Sequence, residues 1–309
     1  MRVVTTVPQD NLNKVTDAAL AAESAGFDAI VTMENRHDPF LPLAVAATAT
    51  KKLGLTTGIA ISFLRSPMSA ANLSWDLNEA SGGRFVLGLG TQIKAHNEKR
   101  FSVPWSAPAP RMREYVKSLR AIWRCWRHGE RLNFRGEHYQ FTLMTPNFSP
   151  EDSGLPLPAV TLAAVGPAMM RLAGEVADGV CLHPLCSARY LDEVVLPSLA
   201  EGWAKSGSNR ENFEISGGGF IATGATDEAV EKMVEWVRMR IGFYGSTPAY
   251  WPVLEMHGYA ELGRKLNQMT KDGQWDKLAA QIPDELVELF AAVGRHDQIA
   301  SAIEKRASG

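Results

Sequence analysis

The chain has 309 residues, 45% of them hydrophobic and 21% charged, so it can bury a large core as one α/β barrel or as two domains. Its 32 basic and 34 acidic residues provide no field that would attract nucleic acid or an anionic membrane surface. No apolar run approaches the length of a membrane-spanning helix. We therefore expect a small-molecule partner, with neither nucleic acid nor membrane.

The cysteines and the first residues predict a cytoplasmic protein. Cys125, Cys181 and Cys186 have no paired framework and no metal-ligand spacing, which is typical of reduced thiols. The opening residues, MRVVTTVPQD, lack an apolar stretch of secretory length.

Strand-like and helix-like segments alternate along the first three quarters of the chain. The predicted strands are VVTTV (3–7), DAIVTM (28–33), LGLTTGIAI (53–61), RFVLGLG (84–90), AVTLAAV (159–165), DGVCLHPL (178–185) and FEISGGGFIATG (213–224). Amphipathic helices are predicted between them, including a long one over 111–128, and RLNFRGEHYQF (131–141) predicts a hairpin. Seven strand–helix steps without a break in composition favour a single (β/α) barrel over an open sheet.

The last quarter predicts helices almost throughout, from Asp227 to about Ala302. They include WDKLAAQI (275–282) and PDELVELFAAVG (283–294). No convincing eighth strand is recognisable in this stretch, so either one of these segments supplies it or the sequence ends before it. The whole chain, 1–309, is predicted to be one domain with a hairpin-and-loop insertion at 131–158 and a helical insertion at 242–282.

In a parallel barrel, chemistry collects where strands end and helices begin, so the residues at those points are the candidates. Gly166 and Pro167 begin a helix whose unpaired N–H groups could receive a phosphate. On these two residues alone, an ordinary turn and helix start is favoured over a phosphate site. Gly88 and Gly90 do not complete a G-x-G-x-x-G fingerprint, because residue 93 is isoleucine, so we do not expect a Rossmann nicotinamide site.

His37 and Asp38 follow the second strand and are candidates for proton handling, although adjacent residues on an extended segment point apart. His96 and His183 also lie at strand ends, but no HExxH or Cys/His cluster is present and no metal is expected. Some aromatic residues near these loops could form the wall of an apolar substrate pocket: Phe40, Phe63, Trp105, Tyr244, Tyr250 and Trp251.

Four segments in a characteristic order resemble the bacterial-luciferase-like superfamily, particularly the oxidoreductases that use the deazaflavin coenzyme F420. They are HDPFLPL (37–43), RSPM (65–68), SGGRFVLGLGTQIKAHNEKRF (81–101) and AAVGPAMMRLAGEVADGV (163–180). The resemblance covers most of the chain. It implies an α/β fold, a luciferase-like (β/α)8 TIM barrel with a helical insertion in the C-terminal quarter, and commonly a homodimer.

The resemblance also implies how a coenzyme would be held. A non-prolyl cis peptide at or next to Gly58-Ile59 would form a bulge, with Ala60, behind a flavin-type ring. The coenzyme phosphate would lie at Ala164, Gly166, Pro167 and Met169, and Gly90, Gln92 and His96 would lie near the ring. Relatives that oxidise sugar phosphates place an acid before a histidine after the second strand, whereas this chain has His37-Asp38-Pro39-Phe40. They also carry a glutamate after the fourth strand, where this chain has Gln92 and Lys94.

The expected function is therefore hydride transfer between coenzyme F420 and an organic substrate, with His37 and Asp38 handling protons. Deazaflavins react poorly with dioxygen, which favours reduction or dehydrogenation over oxygenation. One alternative keeps the fold and uses FMN as a luciferase-like monooxygenase. Another is a barrel that binds a ligand without catalysis.

Overall fold

The computed structural model describes residues 2–307, and Ala307 by its backbone alone. Twelve strands lie in this part of the chain: β1 (Val4–Thr6), β2 (Ala29–Thr32), β3 (Gly54–Thr57), β4 (Ala60–Ile61), β5 (Phe85–Gly90), β6 (Phe134–Arg135), β7 (Gln140–Phe141), β8 (Ala159–Ala164), β9 (Gly179–Leu182), β10 (Glu214–Gly217), β11 (Phe220–Gly224) and β12 (Ala291–Arg295). The main sheet has the order β1-β2-β3-β5-β8-β9-β10, and β4 pairs with β5. The predicted strands are confirmed, with interruptions at residues 58–59 and 218–219.

The described residues also form thirteen α-helices: α1 (Val15–Ser24), α2 (Phe40–Ala49), α3 (Pro67–Ala80), α4 (Lys94–Lys99), α5 (Pro108–His128), α6 (Pro167–Val176), α7 (Ala188–Tyr190), α8 (Leu196–Ser206), α9 (Asp227–Gly245), α10 (Trp251–Met256), α11 (Ala260–Lys271), α12 (Asp284–Phe290) and α13 (Ile299–Ala307). A single π-helical segment, Leu191–Val195, joins α7 to α8. None of the helices in residues 2–307 has the length and apolarity needed to cross a membrane.

The chain forms two compact units. The first contains residues 2–163, 172–180 and 202–214, and the second contains 164–171, 181–201 and 215–307. The single-domain prediction for 1–309 stays a prediction, and its residues 1, 308 and 309 lie outside the described part.

In the first unit, two aspartates that precede strands make the same pair of hydrogen bonds to the neighbouring strand. Asp28 precedes β2, donates its N–H to Val3 O (2.9 Å) and accepts Val3 N–H on its carboxylate (2.6 Å). Asp178 precedes β9 and makes the same pair of bonds with Val160, at 2.8 Å each. Each aspartate therefore ties the start of its own strand to the start of the neighbouring one, which fixes the parallel register.

Helix α5 buries an aromatic and aliphatic face in the first unit. Met112, Tyr115, Leu119, Ile122 and Trp123 are fully buried on it, and Trp123 donates its indole N–H to Ala71 O at 3.2 Å. The predicted hairpin is confirmed as β6 and β7. Its turn is held by the carboxylate of Glu114, which accepts three backbone N–H groups, those of residues 137, 138 and 139. Burial raises the pKa of Glu114, but these donors outweigh it and lower the pKa overall.

The helix predicted over residues 283–294 was wrong at its end, and a further strand, which the sequence had left open, lies there. Residues 291–295, predicted as the end of a helix, form β12, which pairs in parallel with all five residues of β11. A short apolar run such as AAV is compatible with helix or strand by periodicity alone, and pairing with β11 decides it here. The predicted helix at 275–282 was also wrong, because that segment forms two short 3₁₀ turns, Trp275–Lys277 and Ala279–Gln281.

Three consecutive glycines lie where β10 meets β11 in the second unit: Gly217 ends β10, and Gly218 and Gly219 separate the two strands. Gly217, Gly218 and Gly219 all have positive φ, at 84°, 91° and 130°, where residues with side chains are strained. The guanidinium of Arg306 donates to Gly218 O, Leu289 O (2.7 Å) and Cys186 O (3.1 Å). Arg306 thus fixes this glycine segment to the end of α12 and to the loop after β9.

Candidate functional site

The break between β3 and β4 is a backbone bulge at the place that the family resemblance implied. The peptide bond between Gly58 and Ile59 is cis. Gly58 N–H donates to Thr32 O at 2.7 Å, and Ile59 O accepts from Glu34 N–H at 3.1 Å, so both residues are held by the end of β2 and the residues that follow it. Ala60 pairs with Leu89 of β5. The bulge therefore lies at the carboxyl end of these parallel strands, where chemistry collects in barrels.

The glycines of β5 allow close approach of neighbouring backbone and side chains. A Cβ on Gly88 would overlap Thr57 O, and one on Gly90 would lie 2.7 Å from the Ile59 side chain. The Thr57 hydroxyl donates to Gly88 O (2.7 Å) and accepts from Gly88 N–H (2.9 Å). The structure thus brings Gly58, Ile59, Ala60 and Gly90 together, as predicted. Their contact with a coenzyme stays a prediction.

A half-buried ion cluster lies beside the bulge and was not predicted from sequence. Arg65 makes a bidentate pair with Glu34, at 2.7 and 2.9 Å, and a further bond to Asp38 at 2.8 Å. Glu34 also accepts Ile61 N–H at 2.6 Å. Burial lowers the pKa of Arg65, but the two carboxylates outweigh it and raise the pKa, so the guanidinium stays charged.

The two predicted proton carriers have different surroundings. One oxygen of Asp38 bonds Arg65, and the other accepts the N–H groups of Phe40 (2.8 Å) and Leu41 (3.3 Å) at the start of α2. His37 is exposed, and no hydrogen bond or ion pair joins its ring to another residue within 2–307. Asp38 therefore serves the helix start and the ion cluster, and the structure does not pair it with His37.

Gln92 and His96 follow β5 on a short connection and the first turn of α4. Gln92 has a positive φ of 56°, uncommon for a residue other than glycine, and its side-chain oxygen accepts Ile93 N–H at 2.9 Å. His96 is exposed on α4. Asn97, fully buried, donates to Thr91 O and Ile93 O, at 3.0 and 3.1 Å, and so fixes this connection.

The predicted phosphate turn begins α6 and belongs to the second unit. Ala164 ends β8, Pro167 is the first residue of α6, and Gly166 O accepts the N–H groups of Met169 and Met170, each at 3.1 Å. A Cβ placed on Gly166 would meet no atom within 4 Å. No hydrogen bond to another described residue uses the N–H of Gly166 or Ala168. Two donors at a helix start are thus without a partner in the described residues, and Gly166 leaves room beside them, which suits an anion.

A group of three aromatic rings follows β9 in the second unit; we call His183, Tyr244 and Tyr250 the aromatic triad. The His183 ring lies 4.3 Å from Tyr244 and 4.4 Å from Tyr250, and the two tyrosine rings are 5.8 Å apart, measured between centroids. Nδ1 of His183 accepts Leu185 N–H at 3.1 Å. Burial lowers the pKa of His183 to about 4, so the ring is neutral near pH 7.

Metal chemistry has no support in the described residues. Within 2–307 no group of three or more His, Cys, Asp or Glu side chains is arranged to hold a metal ion. The predicted histidines 37, 96 and 183 are not brought together as such a set.

Comparison with known proteins identifies the family. The sequence matches the family described as luciferase-like monooxygenases over residues 2–309, so the chain belongs to that family. It is 50% identical over 300 residues to an uncharacterized protein of Mycobacterium tuberculosis, covering 97% of this chain and 88% of the relative. It is 29% identical over 293 residues to the 5,10-methylenetetrahydromethanopterin reductase of Archaeoglobus fulgidus, covering 92% of this chain and 83% of that enzyme.

Solved structures confirm the predicted luciferase-like TIM-barrel fold. The coenzyme F420-dependent tetrahydromethanopterin reductase of Methanopyrus kandleri is similar with a TM-score of 0.80 at 20% identity, covering 99% of this chain and 90% of that one. The FMN complex of the oxygenating constituent of 3,6-diketocamphane monooxygenase from Pseudomonas putida is similar with a TM-score of 0.66 at 17% identity, covering 99% and 90%. Both similarities concern the fold.

Proposed function

We propose that this protein is an oxidoreductase that uses coenzyme F420 to transfer hydride to or from an organic substrate. The observation that carries the proposal is the start of α6, where the N–H groups of Gly166 and Ala168 have no partner within 2–307 at the place that the family resemblance gives to the coenzyme phosphate. The name of a relative that is 28% identical over 299 residues, a putative coenzyme F420-dependent oxidoreductase of Mycobacterium tuberculosis, supports coenzyme F420, and the close contact of Ile59 with Gly90 supports a ring site at the strand ends.

Two parts of the chain would hold the coenzyme, and each fits its role. The bulge would lie behind the coenzyme ring. Close packing at Gly58, Ile59 and Gly90, together with backbone hydrogen bonds, holds the backbone of the bulge in place for this role. The start of α6 would receive the phosphate on the N–H groups of Gly166 and Ala168, with Pro167 and Met169 shaping the turn. When bound, the coenzyme supplies the hydride, which is chemistry that the side chains lack.

The charged residues beside the bulge have roles of their own. Arg65 is neutralised by Glu34 and Asp38, so it would keep the strand ends in place rather than bind an anion. Asp38 uses both oxygens in these contacts, and His37 is therefore the better of the two candidates for moving a proton. We also propose that the protein works in the cytoplasm as a homodimer.

A binding experiment tests the choice of coenzyme. Coenzyme F420 and FMN are titrated separately into the purified chain, and binding is followed by calorimetry. We expect F420 to bind more tightly than FMN. Tight FMN binding without F420 binding would overturn the proposal in favour of a monooxygenase, for which the similarity to an FMN-bound structure is the supporting observation. F420 binding without turnover of any substrate would favour a non-catalytic binding protein.

The phosphate assignment has a test of its own. Gly166→Asp places a negative charge at the helix start and should weaken F420 binding at least tenfold. Gly166→Ala meets no neighbouring atom and should leave folding unchanged, so it serves as the steric control. Ser208→Asp, at an exposed position, controls for charge alone. Equal affinities for Gly166→Asp and Ser208→Asp would remove the assignment.

A further inference from the structure

The aromatic triad contains three polar atoms without a protein partner. Because Nδ1 of His183 accepts a hydrogen bond from Leu185 N–H, the neutral ring carries its hydrogen on Nε2. No hydrogen bond to another residue within 2–307 uses that Nε2 or the hydroxyls of Tyr244 and Tyr250. None of the three atoms is among the fully buried polar atoms without a partner, so each keeps some contact with solvent.

Two groups of the triad are held in their uncharged forms near pH 7. Burial lowers the pKa of His183, and burial together with Tyr244 raises the pKa of Tyr250. Burying a ligand charge beside these groups costs desolvation energy that no opposite charge on His183 or Tyr250 offsets. Hydrogen-bond donors within a half-buried aromatic wall suit a neutral hydrogen-bond acceptor with an apolar body.

The position of the triad supports a ligand role over a purely structural one. His183 is the first residue after β9, and it lines a small cavity with Ala164 and Val165, which immediately precede Gly166. Both tyrosines come from the helical region that follows β11, Tyr244 from the end of α9 and Tyr250 from the 3₁₀ turn Pro248–Tyr250. Because the three side chains are half-buried and their polar atoms keep some contact with solvent, a ligand can reach them.

We propose that the aromatic triad binds the carbonyl-type oxygen of an uncharged organic substrate, with His183 Nε2–H and the hydroxyls of Tyr244 and Tyr250 as hydrogen-bond donors. This rests on the proposed oxidoreductase function, which it deepens by naming the substrate class. The triad acts by polarising and orienting this oxygen, as a neutral imidazole can, without transferring a proton. The cost of burying an unpaired charge beside the aromatic rings would weigh against carboxylates and phosphates at this end of the substrate.

Nitrogen-15 NMR of the histidine rings in the full chain tests the proposal without any turnover. The probe is cyclohexanone, a neutral ketone, and the assignment of the His183 signal comes from its loss in His183→Phe. We expect the Nε2 signal to shift and saturate with cyclohexanone and to remain unmoved by cyclohexanecarboxylate. The proposal is overturned if the signal ignores cyclohexanone, or if the carboxylate moves it equally.

A pair of tyrosine variants separates a ligand role from a general loosening of the protein. Tyr250→Phe removes a hydroxyl of the triad and should raise the half-saturating cyclohexanone concentration several-fold. Tyr139→Phe removes a hydroxyl that is already bonded to Arg111 (3.0 Å) in the first unit and should leave that concentration unchanged. Equal effects from the two variants would contradict the triad site.

Measuring F420 affinity on the same samples keeps this inference apart from the proposed function. A protein that binds F420 but gives no cyclohexanone shift overturns the triad site alone. A protein that shows the cyclohexanone shift but no F420 binding overturns the proposed function alone.

Discussion

The two units each hold a conspicuous polar cluster, and the clusters are built in opposite ways. In the first unit, Glu34, Arg65 and Asp38 are charged, and their hydrogen-bonding atoms are largely used by one another and by backbone groups. In the second unit, the aromatic triad contains a neutral histidine ring, and its Nε2 and the two tyrosine hydroxyls bond to no other residue within 2–307. The difference suggests that the ion cluster holds the structure in place, whereas the triad is available to a ligand.

The largest expected effect comes from breaking the ion cluster. Arg65→Met would leave Glu34, whose side chain is only 9% exposed, without its cation, and the free energy of unfolding should fall by about 3 kcal/mol. Urea denaturation of the wild type and the variant measures this loss of unfolding free energy. The control is Arg264→Met, which breaks an exposed pair with Glu261 and should cost under about 1 kcal/mol. Equal losses in the two variants would mean that the cluster does not hold the structure.

The next effect is the pH dependence of the unfolding free energy that His183 of the triad contributes. The folded pKa of His183, about 4, lies below the value near 6.5 of an unfolded histidine. The unfolded chain therefore binds the extra proton first, and stability that is complete above about pH 6.5 is lost as the pH falls toward 4, by roughly 3 kcal/mol at most. Unfolding at several pH values should show this slope in the wild type and lose it in His183→Phe. An unchanged slope in the variant would show that His183 is not held neutral.

A smaller effect distinguishes a crowded glycine in the first unit from an open one in the second. Gly88→Ala would push a Cβ against Thr57 O, which is backbone and cannot rotate away, and should cost roughly 1–3 kcal/mol in unfolding free energy. Gly166→Ala has open space and should cost under about 1 kcal/mol. Thermal melting of the two variants makes the comparison. A larger loss for Gly166→Ala would contradict the open helix start.

The smallest effect compares two tyrosine hydroxyls. Tyr139→Phe removes a bond with Arg111 and should cost about 1 kcal/mol of unfolding free energy, because a part-buried donor loses its acceptor. Tyr250→Phe removes a hydroxyl without a protein partner and should change stability by less than about 0.5 kcal/mol. If the two variants lose the same unfolding free energy, the Tyr250 hydroxyl makes a stabilising contact that this structure does not contain.

Much of the fold could be predicted from local sequence, because the parallel strands are short apolar runs between amphipathic helices. The boundaries of α5, for example, were predicted to within three residues at its start and confirmed at His128. The strand β12 could not be predicted, since FAAVG continues a helical pattern and only pairing with β11 makes residues 291–295 extended. The cis bond at Gly58-Ile59 was implied by family resemblance and by nothing in the local residues.

The site residues likewise divide into those that a local pattern indicates and those that only the fold brings together. Gly166-Pro167 is recognisable because a glycine followed by proline is a local signal for a helix start. Glu34 and Arg65 are 31 positions apart, so only the packing of neighbouring strand ends could pair them. An acid after one strand and an arginine after the next were the signal that could have indicated this pair.

The sequence alone determined the class of the chain: its length, even charge and repeated strand–helix pattern specify a parallel α/β barrel fold, because hydrophobic periodicity is a local property. The tertiary structure decided which polar groups are satisfied. Asp38, predicted as a proton carrier, bonds the start of α2 and Arg65, while His183 meets Tyr244 and Tyr250, which lie 61 and 67 positions further along the chain. Hydrogen-bond partners depend on which segments the fold brings into contact, and no local pattern records that.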